Sequence, residues 1–208
     1  MTKRLDVVWA TASVLLAAWS LYEAWQEQHV TAGLYFALHL QAAVLFAIRH
    51  RSTARAAGAT AYVVATLSVL SPYAYDVWAP TLIDGLDSAL VAAGCVCAFT
   101  ATWSLGRAYG VLPMHRGLRS HGAYAIVRHP VYASYIAMDV GIVVGAFSVR
   151  NILVFMAALG LVYRRALYEE SLLRLHAGYS SYARNVPDRF LPLTLMARMA
   201  TKIPFPIR

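Results

Sequence analysis

The chain has 208 residues, of which 60% are hydrophobic and only 13% are charged. A water-soluble domain of this size needs more polar surface than that, so the composition favours an integral membrane protein. The net charge of +8 is not accompanied by a long basic run with interleaved aromatic residues, so it does not indicate nucleic-acid binding. The length predicts a single membrane domain over 1–208.

Six apolar segments follow one another along the chain. They cover 6–25, 31–48, 59–78, 86–105, 131–148 and 151–167. A helix needs about 20 such residues to cross a bilayer, and backbone groups in lipid must bond within their own segment. The last two segments are separated only by Val149, Arg150 and Asn151, which predicts a tight helical hairpin. The predicted fold is therefore an all-α, polytopic bundle of six membrane-spanning helices.

Positively charged residues mark one face of this predicted bundle. They occur before the first segment, between the second and third, between the fourth and fifth, and after the sixth. With six spans these positions all fall on one side, and only Arg150 falls on the other. Because basic loops face the cytoplasm, both termini are predicted to be cytoplasmic. The compact, alanine- and arginine-rich chain favours the inner membrane of a prokaryote.

The fourth and fifth segments each contain a residue that could carry chemistry. Cys95 and Cys97 lie two positions apart in the fourth and point to different helix faces, so we interpret them as small apolar residues. No metal-ligand spacing accompanies them, so no metal is predicted. Asp139 lies inside the fifth segment, where a carboxyl group is a candidate functional residue. We interpret it as structural, bonded to a hydroxyl of a neighbouring helix.

The connection before the fifth segment carries the densest polar motif of the chain. It reads Gly122-x-Tyr124-x-x-Val127-Arg128-His129-Pro130-x-Tyr132. The glycine-rich residues 106–130 cannot form one continuous helix. Contact with anionic lipid explains the loop residues Arg116 and Arg119, but it does not explain an Arg-His pair beside a proline. Pro130 suits the first helical turn and presents His129 at a helix N-terminus, where anions are favoured.

A second polar motif follows the sixth segment. Glu169 and Glu170 are adjacent carboxylates that could accept hydrogen bonds from a ligand, and Arg165 is placed to pair with Glu169 at i,i+4. Beyond them come Tyr179-x-x-Tyr182 and Val186-Pro187-x-Arg189-x-x-Pro192. Because both motifs fall on the same membrane face, they predict a single composite site.

Together the two motifs resemble those of the isoprenylcysteine carboxyl methyltransferase and phospholipid methyltransferase superfamily, which are integral membrane enzymes. The family pattern is G-x-Y-x-x-V-R-H-P-x-Y, a helical hairpin, E-E-x-x-L, Y-x-x-Y and V-P-x-R-x-x-P. The resemblance covers about residues 103–192. One departure is that Gly178 directly precedes Tyr179, whereas the family usually has a glycine three residues earlier. The segment that would cover the cofactor is therefore shorter.

The resemblance implies S-adenosylmethionine as methyl donor, bound at the cytoplasmic face by residues 106–192, with a C-terminal helical lid. It implies cofactor-binding roles for Tyr124, Arg128, His129, Tyr132, Glu169, Glu170 and Tyr182. It implies catalytic roles for Arg107 and Arg165. The acceptor would be a lipophilic molecule, most simply a carboxylate, that enters from the bilayer and faces residues 1–105. Residues 193–208 would form a basic tail.

Two other functions remain as alternatives. Membrane sterol-type reductases that use NADPH resemble the C-terminal half, but they carry an Asp-Glu pair followed by cysteine and tryptophan positions. Here the pair is Glu169-Glu170, and no tryptophan follows Trp103. The second alternative is a non-catalytic membrane binding protein. A transporter would show broken spans or inverted repeats, and neither is visible.

Overall fold

The computed structural model describes residues 2–27, 30–50, 52, 54–55, 58–76 and 79–200. This part of the chain is all-α apart from one short antiparallel bridge. The helices are α1 (Thr2–Glu27), α2 (Val30–Ile48), α3 (Ala59–Leu70), α4 (Leu86–Leu105), α5 (Pro130–Gly145), α6 (Val149–Leu173), α7 (Tyr179–Asn185) and α8 (Leu193–Ala200). The bridge pairs β1 (Ala54–Arg55) with β2 (Met114–His115), with Ala54 opposite His115. It ties the connection after α2 to the long loop after α4.

Helices occupy all six predicted apolar segments, but several ends differ. Helix α3 stops at Leu70 instead of reaching residue 78, and a 3-10 turn, Ser71–Ala74, follows it. Pro72 in that turn has no N–H to continue the α-helical bonding. Helix α6 runs past the predicted end to Leu173, so that Glu169 and Glu170 lie on it.

The predicted position of the link between α5 and α6 was wrong by about one helical turn. Helix α5 ends at Gly145, and the link is 146–148. Val149, Arg150 and Asn151 form the first turn of α6 because the Ser148 side chain accepts a hydrogen bond from the Asn151 backbone N–H, at 3.1 Å. The Asn151 side chain is fully buried and bonds the backbone of Asp76 and Ala146. This polar cap joins three segments at the end of the bundle opposite the two motifs.

Among the described residues, two helices are long and apolar enough to cross a membrane, one over Leu86–Ala108 and the other over Val149–Leu173. Shorter apolar helical stretches cover Val7–Glu23, Gly33–Ile48, Ala59–Ala74 and Pro130–Gly145. Several of these helices expose large apolar side chains. Among the most exposed are Leu15, Trp25, Trp103, Val149 and Leu153, each more than 60% exposed.

Small residues bring α4 and α5 into close contact. A Cβ added to Gly141 would lie 2.8 Å from a Val91 methyl and 2.9 Å from the Asp87 carbonyl oxygen. Such close backbone approach is typical of helix pairs in membranes. Helix α6 packs instead against α3, while α1 packs against α2 and α2 against α4. The space between these helix pairs leads to the polar motifs.

Candidate functional site

The first motif forms a compact turn before α5. Gly122 has φ +62°, and an added Cβ would lie 2.5 Å from the Ser104 hydroxyl oxygen on α4. Only glycine adopts this conformation readily and allows this approach. Pro130 is the first residue of α5, and His129 precedes it outside helical geometry, as predicted. The turn therefore holds the Arg-His pair directly at the N-terminus of α5.

Backbone hydrogen bonds join the first motif to the second. The Arg128 N–H donates to the Asp188 carbonyl at 2.9 Å, and the His129 N–H donates to the Arg189 carbonyl at 2.8 Å. The Arg128 guanidinium also donates to the Pro187 carbonyl at 2.9 Å. These bonds bring segments about 60 residues apart in the chain into one structure.

A buried carboxylate, Glu170, holds the two motifs together. Its side chain is 1% exposed and lies 3.2 Å from the Arg128 guanidinium and 3.3 Å from the His129 Nε2. Arg189 donates to both oxygens, at 2.9 and 3.2 Å. Hydrogen bonds and charge from these three side chains compensate the burial of the Glu170 carboxylate.

The neighbouring carboxylate, Glu169, faces the other way. It accepts a short hydrogen bond from the Tyr132 hydroxyl, pairs with the Arg165 Nε at 3.6 Å, and lies 3.9 Å from the His129 Nδ1. Its side chain is 26% exposed, so part of the carboxylate remains accessible. The predicted i,i+4 pair of Arg165 and Glu169 is thus present.

Arg165 supports this side of the site from within the protein. Its side chain is 4% exposed, donates to the Ser68 hydroxyl and the Val111 carbonyl, and lies over the Tyr132 ring at 4.9 Å from its centre. Arg165 therefore orients both Tyr132 and Glu169 while it anchors the loop that contains Val111.

A cavity of about 310 Å³ begins at Glu169 and continues between the helices. Its polar end is lined by predicted site residues from both motifs. These are Tyr124, Arg128, His129, Tyr132, Arg165, Glu169 and Tyr182. Its other end is lined mainly by apolar side chains, including Leu16, Leu38 and Ile142. The volume lies within the usual range for small-molecule sites.

Two predicted site residues lie outside this cavity. Glu170 is behind the wall, where protein groups occupy its oxygens. Arg107 is exposed, and its side chain donates to the Ile48 carbonyl at 3.0 Å, so it fastens the loop to the end of α2. The structure does not bring Arg107 to the other candidate residues.

Three residues that were not predicted to belong to the site also line the cavity, namely Tyr109, Arg116 and Arg119. Arg116 and Arg119 were interpreted as lipid-contacting because charge alone does not show which way a loop turns. The loop folds back over the bundle, with Val111 and Leu112 buried and Met114 paired in the bridge to β1. The return of this loop brings Arg116 and Arg119 to the cavity wall.

Tyrosine hydroxyl groups at the polar end stay protonated. Burial, assisted by the nearby charge of Glu169, raises the pKa of Tyr124. Burial also raises the pKa of Tyr182, whose hydroxyl donates to the Tyr124 carbonyl at 2.8 Å. These phenols therefore act as hydrogen-bond donors and as aromatic surfaces, not as bases.

The chain matches no protein-family model and no curated protein. Within the described part of the chain, no group of three or more His, Cys, Asp and Glu residues is arranged to hold a metal ion.

Proposed function

We propose that this protein is an integral membrane methyltransferase that uses S-adenosylmethionine and acts on a lipophilic acceptor, as its resemblance to the isoprenylcysteine carboxyl methyltransferase and phospholipid methyltransferase superfamily suggests. The observation that carries the proposal is the single cavity that joins the two polar motifs to an apolar interior. A reaction between a polar cofactor and a lipophile needs both environments in one continuous space.

The membrane arrangement in this proposal has six spans, with the motifs at the cytoplasmic face. Its support is the outward apolar surface of the helices and the concentration of basic residues on one side of the sequence-derived topology. Helices α7 and α8 would cover the polar end as the lid. Tyr182 of α7 lines the cavity, and Tyr179 of the same helix packs against Tyr182.

The lining chemistry fits the proposed cofactor. The cofactor would supply an electrophilic methyl group on a sulfonium cation. The accessible carboxylate of Glu169 can accept hydrogen bonds from hydroxyl or amino groups. Aromatic faces attract such cations, and Tyr109 and Tyr124 line this part of the cavity. Arg165 and His129 hold Glu169 and Tyr132 in place.

A carboxylate acceptor would need orientation but no general base, because it is already a nucleophile at neutral pH. Arg119 lines the cavity and can hold a carboxylate by charge-assisted hydrogen bonds. We assign this role to Arg119 instead of Arg107, which bonds the end of α2.

The test is calorimetric titration of the detergent-purified full chain with S-adenosylmethionine. We expect micromolar binding that Glu169→Gln weakens at least about tenfold, the cost of one charged hydrogen bond. Glu23→Gln on α1, outside the cavity, is the matched control and should bind as the wild type does. No binding by folded wild-type protein would refute the proposal. Tight NADPH binding in that case would favour the reductase, and binding of neither would favour a non-catalytic protein.

A further inference from the structure

The cavity has a second polar feature far from the two motifs. Asp139 on α5 lines the cavity, and the residue is only 6% exposed. Asp139 lies seven residues beyond Tyr132 on the same helix, a separation of roughly 10 Å along the axis. The surrounding wall is apolar, with Leu16, Met138 and Ile142 among its members. A carboxyl group in such a place is costly unless it is bonded.

The protein itself only partly satisfies this carboxyl group. The Tyr75 hydroxyl lies near the Asp139 carboxyl group. This hydroxyl is buried, but it makes no well-aligned hydrogen bond with any residue in the described part of the chain. A carboxyl group has two oxygens, so a single phenol leaves at least one of them able to bond a ligand. The structural role predicted for Asp139 does not account for its position on the cavity wall.

Other polar groups lie at the same end. Tyr35 and His39 of α2 line the cavity there, with their rings stacked at a centre-to-centre distance of 6.3 Å. The His39 Nδ1 is 3.2 Å from the Ser20 hydroxyl on α1, which fixes the ring. Tyr35 lies close enough to Asp139 for electrostatic interaction. The inner end is therefore a small polar pocket within an apolar wall.

We infer that this inner pocket binds a hydrogen-bond donor, a hydroxyl or an amino group, at the far end of the lipophilic ligand. The ligand class is thus a lipophile with polar groups at both ends, separated by an apolar stretch of roughly 10 Å. The inference rests on the proposed function for the group that lies near Glu169. Asp139 accepts the hydrogen bond from this donor. A ligand with a purely hydrocarbon end binds less tightly, because it leaves the buried Asp139 acceptor unpaired.

The test compares three probes of equal chain length: decanoic acid, ω-hydroxydecanoic acid and ω-aminodecanoic acid. Each is titrated calorimetrically into the detergent-purified full chain without S-adenosylmethionine. We expect the wild type to bind ω-hydroxydecanoic acid or ω-aminodecanoic acid about tenfold more tightly than decanoic acid, because each gains one hydrogen bond to a buried acceptor. Asp139→Leu should remove this preference by tightening the binding of decanoic acid, which then leaves no buried acceptor unpaired.

Asp139→Asn separates the two donors. The amide keeps an acceptor oxygen for a hydroxyl group but loses the charge that favours an ammonium group. Equal affinities of the wild type for the three probes would overturn the inference, as would a preference that persists in Asp139→Leu. Loss of the folded state in both variants would identify a carboxyl group that holds the fold, and would also overturn it.

The inference and the proposed function can fail separately. S-adenosylmethionine should bind Asp139→Leu within about twofold of the wild type, because the donor site is near Glu169. A wild type that discriminates among the probes but does not bind S-adenosylmethionine would retain the inner pocket and lose the proposed function. A wild type that binds S-adenosylmethionine without discriminating would retain the function and lose the inner pocket.

Discussion

Replacement of Glu170 by alanine should strongly destabilise the protein. The change leaves Arg128 and His129, whose side chains are 11% and 5% exposed, without their shared anionic partner. Arg189 is one-third exposed and can turn to water, so its loss counts for less. Breaking a buried ion pair costs about 3–5 kcal/mol.

The assay is unfolding of the detergent-purified full chain, followed by tryptophan fluorescence during heating and during titration with a denaturing detergent. We expect Glu170→Ala to lower the free energy of unfolding by about 3 kcal/mol. Glu23→Ala, which removes an exposed hydrogen bond to Trp19, is the control and should cost less than about 1 kcal/mol. If Glu170→Ala were as stable as this control, the account of Glu170 as the connection between the motifs would be wrong.

Three further substitutions test particular contacts. Gly122→Ala forces a side chain into φ +62° and against Ser104, and should cost about 1–3 kcal/mol in thermal unfolding; an unchanged midpoint would refute the geometry of the turn. Asn151→Ala removes a buried cap that bonds two neighbouring segments and should cost about 2–4 kcal/mol, whereas a loss under 1 kcal/mol would show that the cap is dispensable. Arg107→Ala should keep the rate of methyl transfer within about twofold of the wild type, whereas Arg119→Ala should lower it at least about tenfold. The reverse order would restore the role first expected for Arg107.

Much of the local structure follows from the sequence. The apolar runs predict helices in the correct places, and Pro130 marks the first residue of α5. The ends were harder, since Pro72 stopped α3 early and the Ser148 cap began α6 within the expected link. Caps and prolines act over one turn, whereas hydrophobicity is averaged over a whole segment, so segment averages place ends poorly.

The composite site shows which contacts between distant parts of the chain a sequence pattern can indicate. The order of the two motifs correctly suggested that they meet, and the backbone bonds from Arg128 and His129 to 188–189 join them. The pattern did not indicate that Arg107 turns away towards Ile48 while Arg119 turns in. The path of a glycine-rich loop depends on distant partners, here the bridge between β1 and β2.

The amino-acid sequence by itself determined that the chain forms apolar helices and that two polar motifs accompany them. Only the tertiary structure decided what each motif residue does. Glu169 and Glu170 are chemically alike and adjacent, yet one faces the cavity and the other is enclosed by Arg128, His129 and Arg189. Neighbouring residues on a helix point about 100° apart, so the packing of α6 against its partners turns one carboxylate towards the cavity and encloses the other among protein groups.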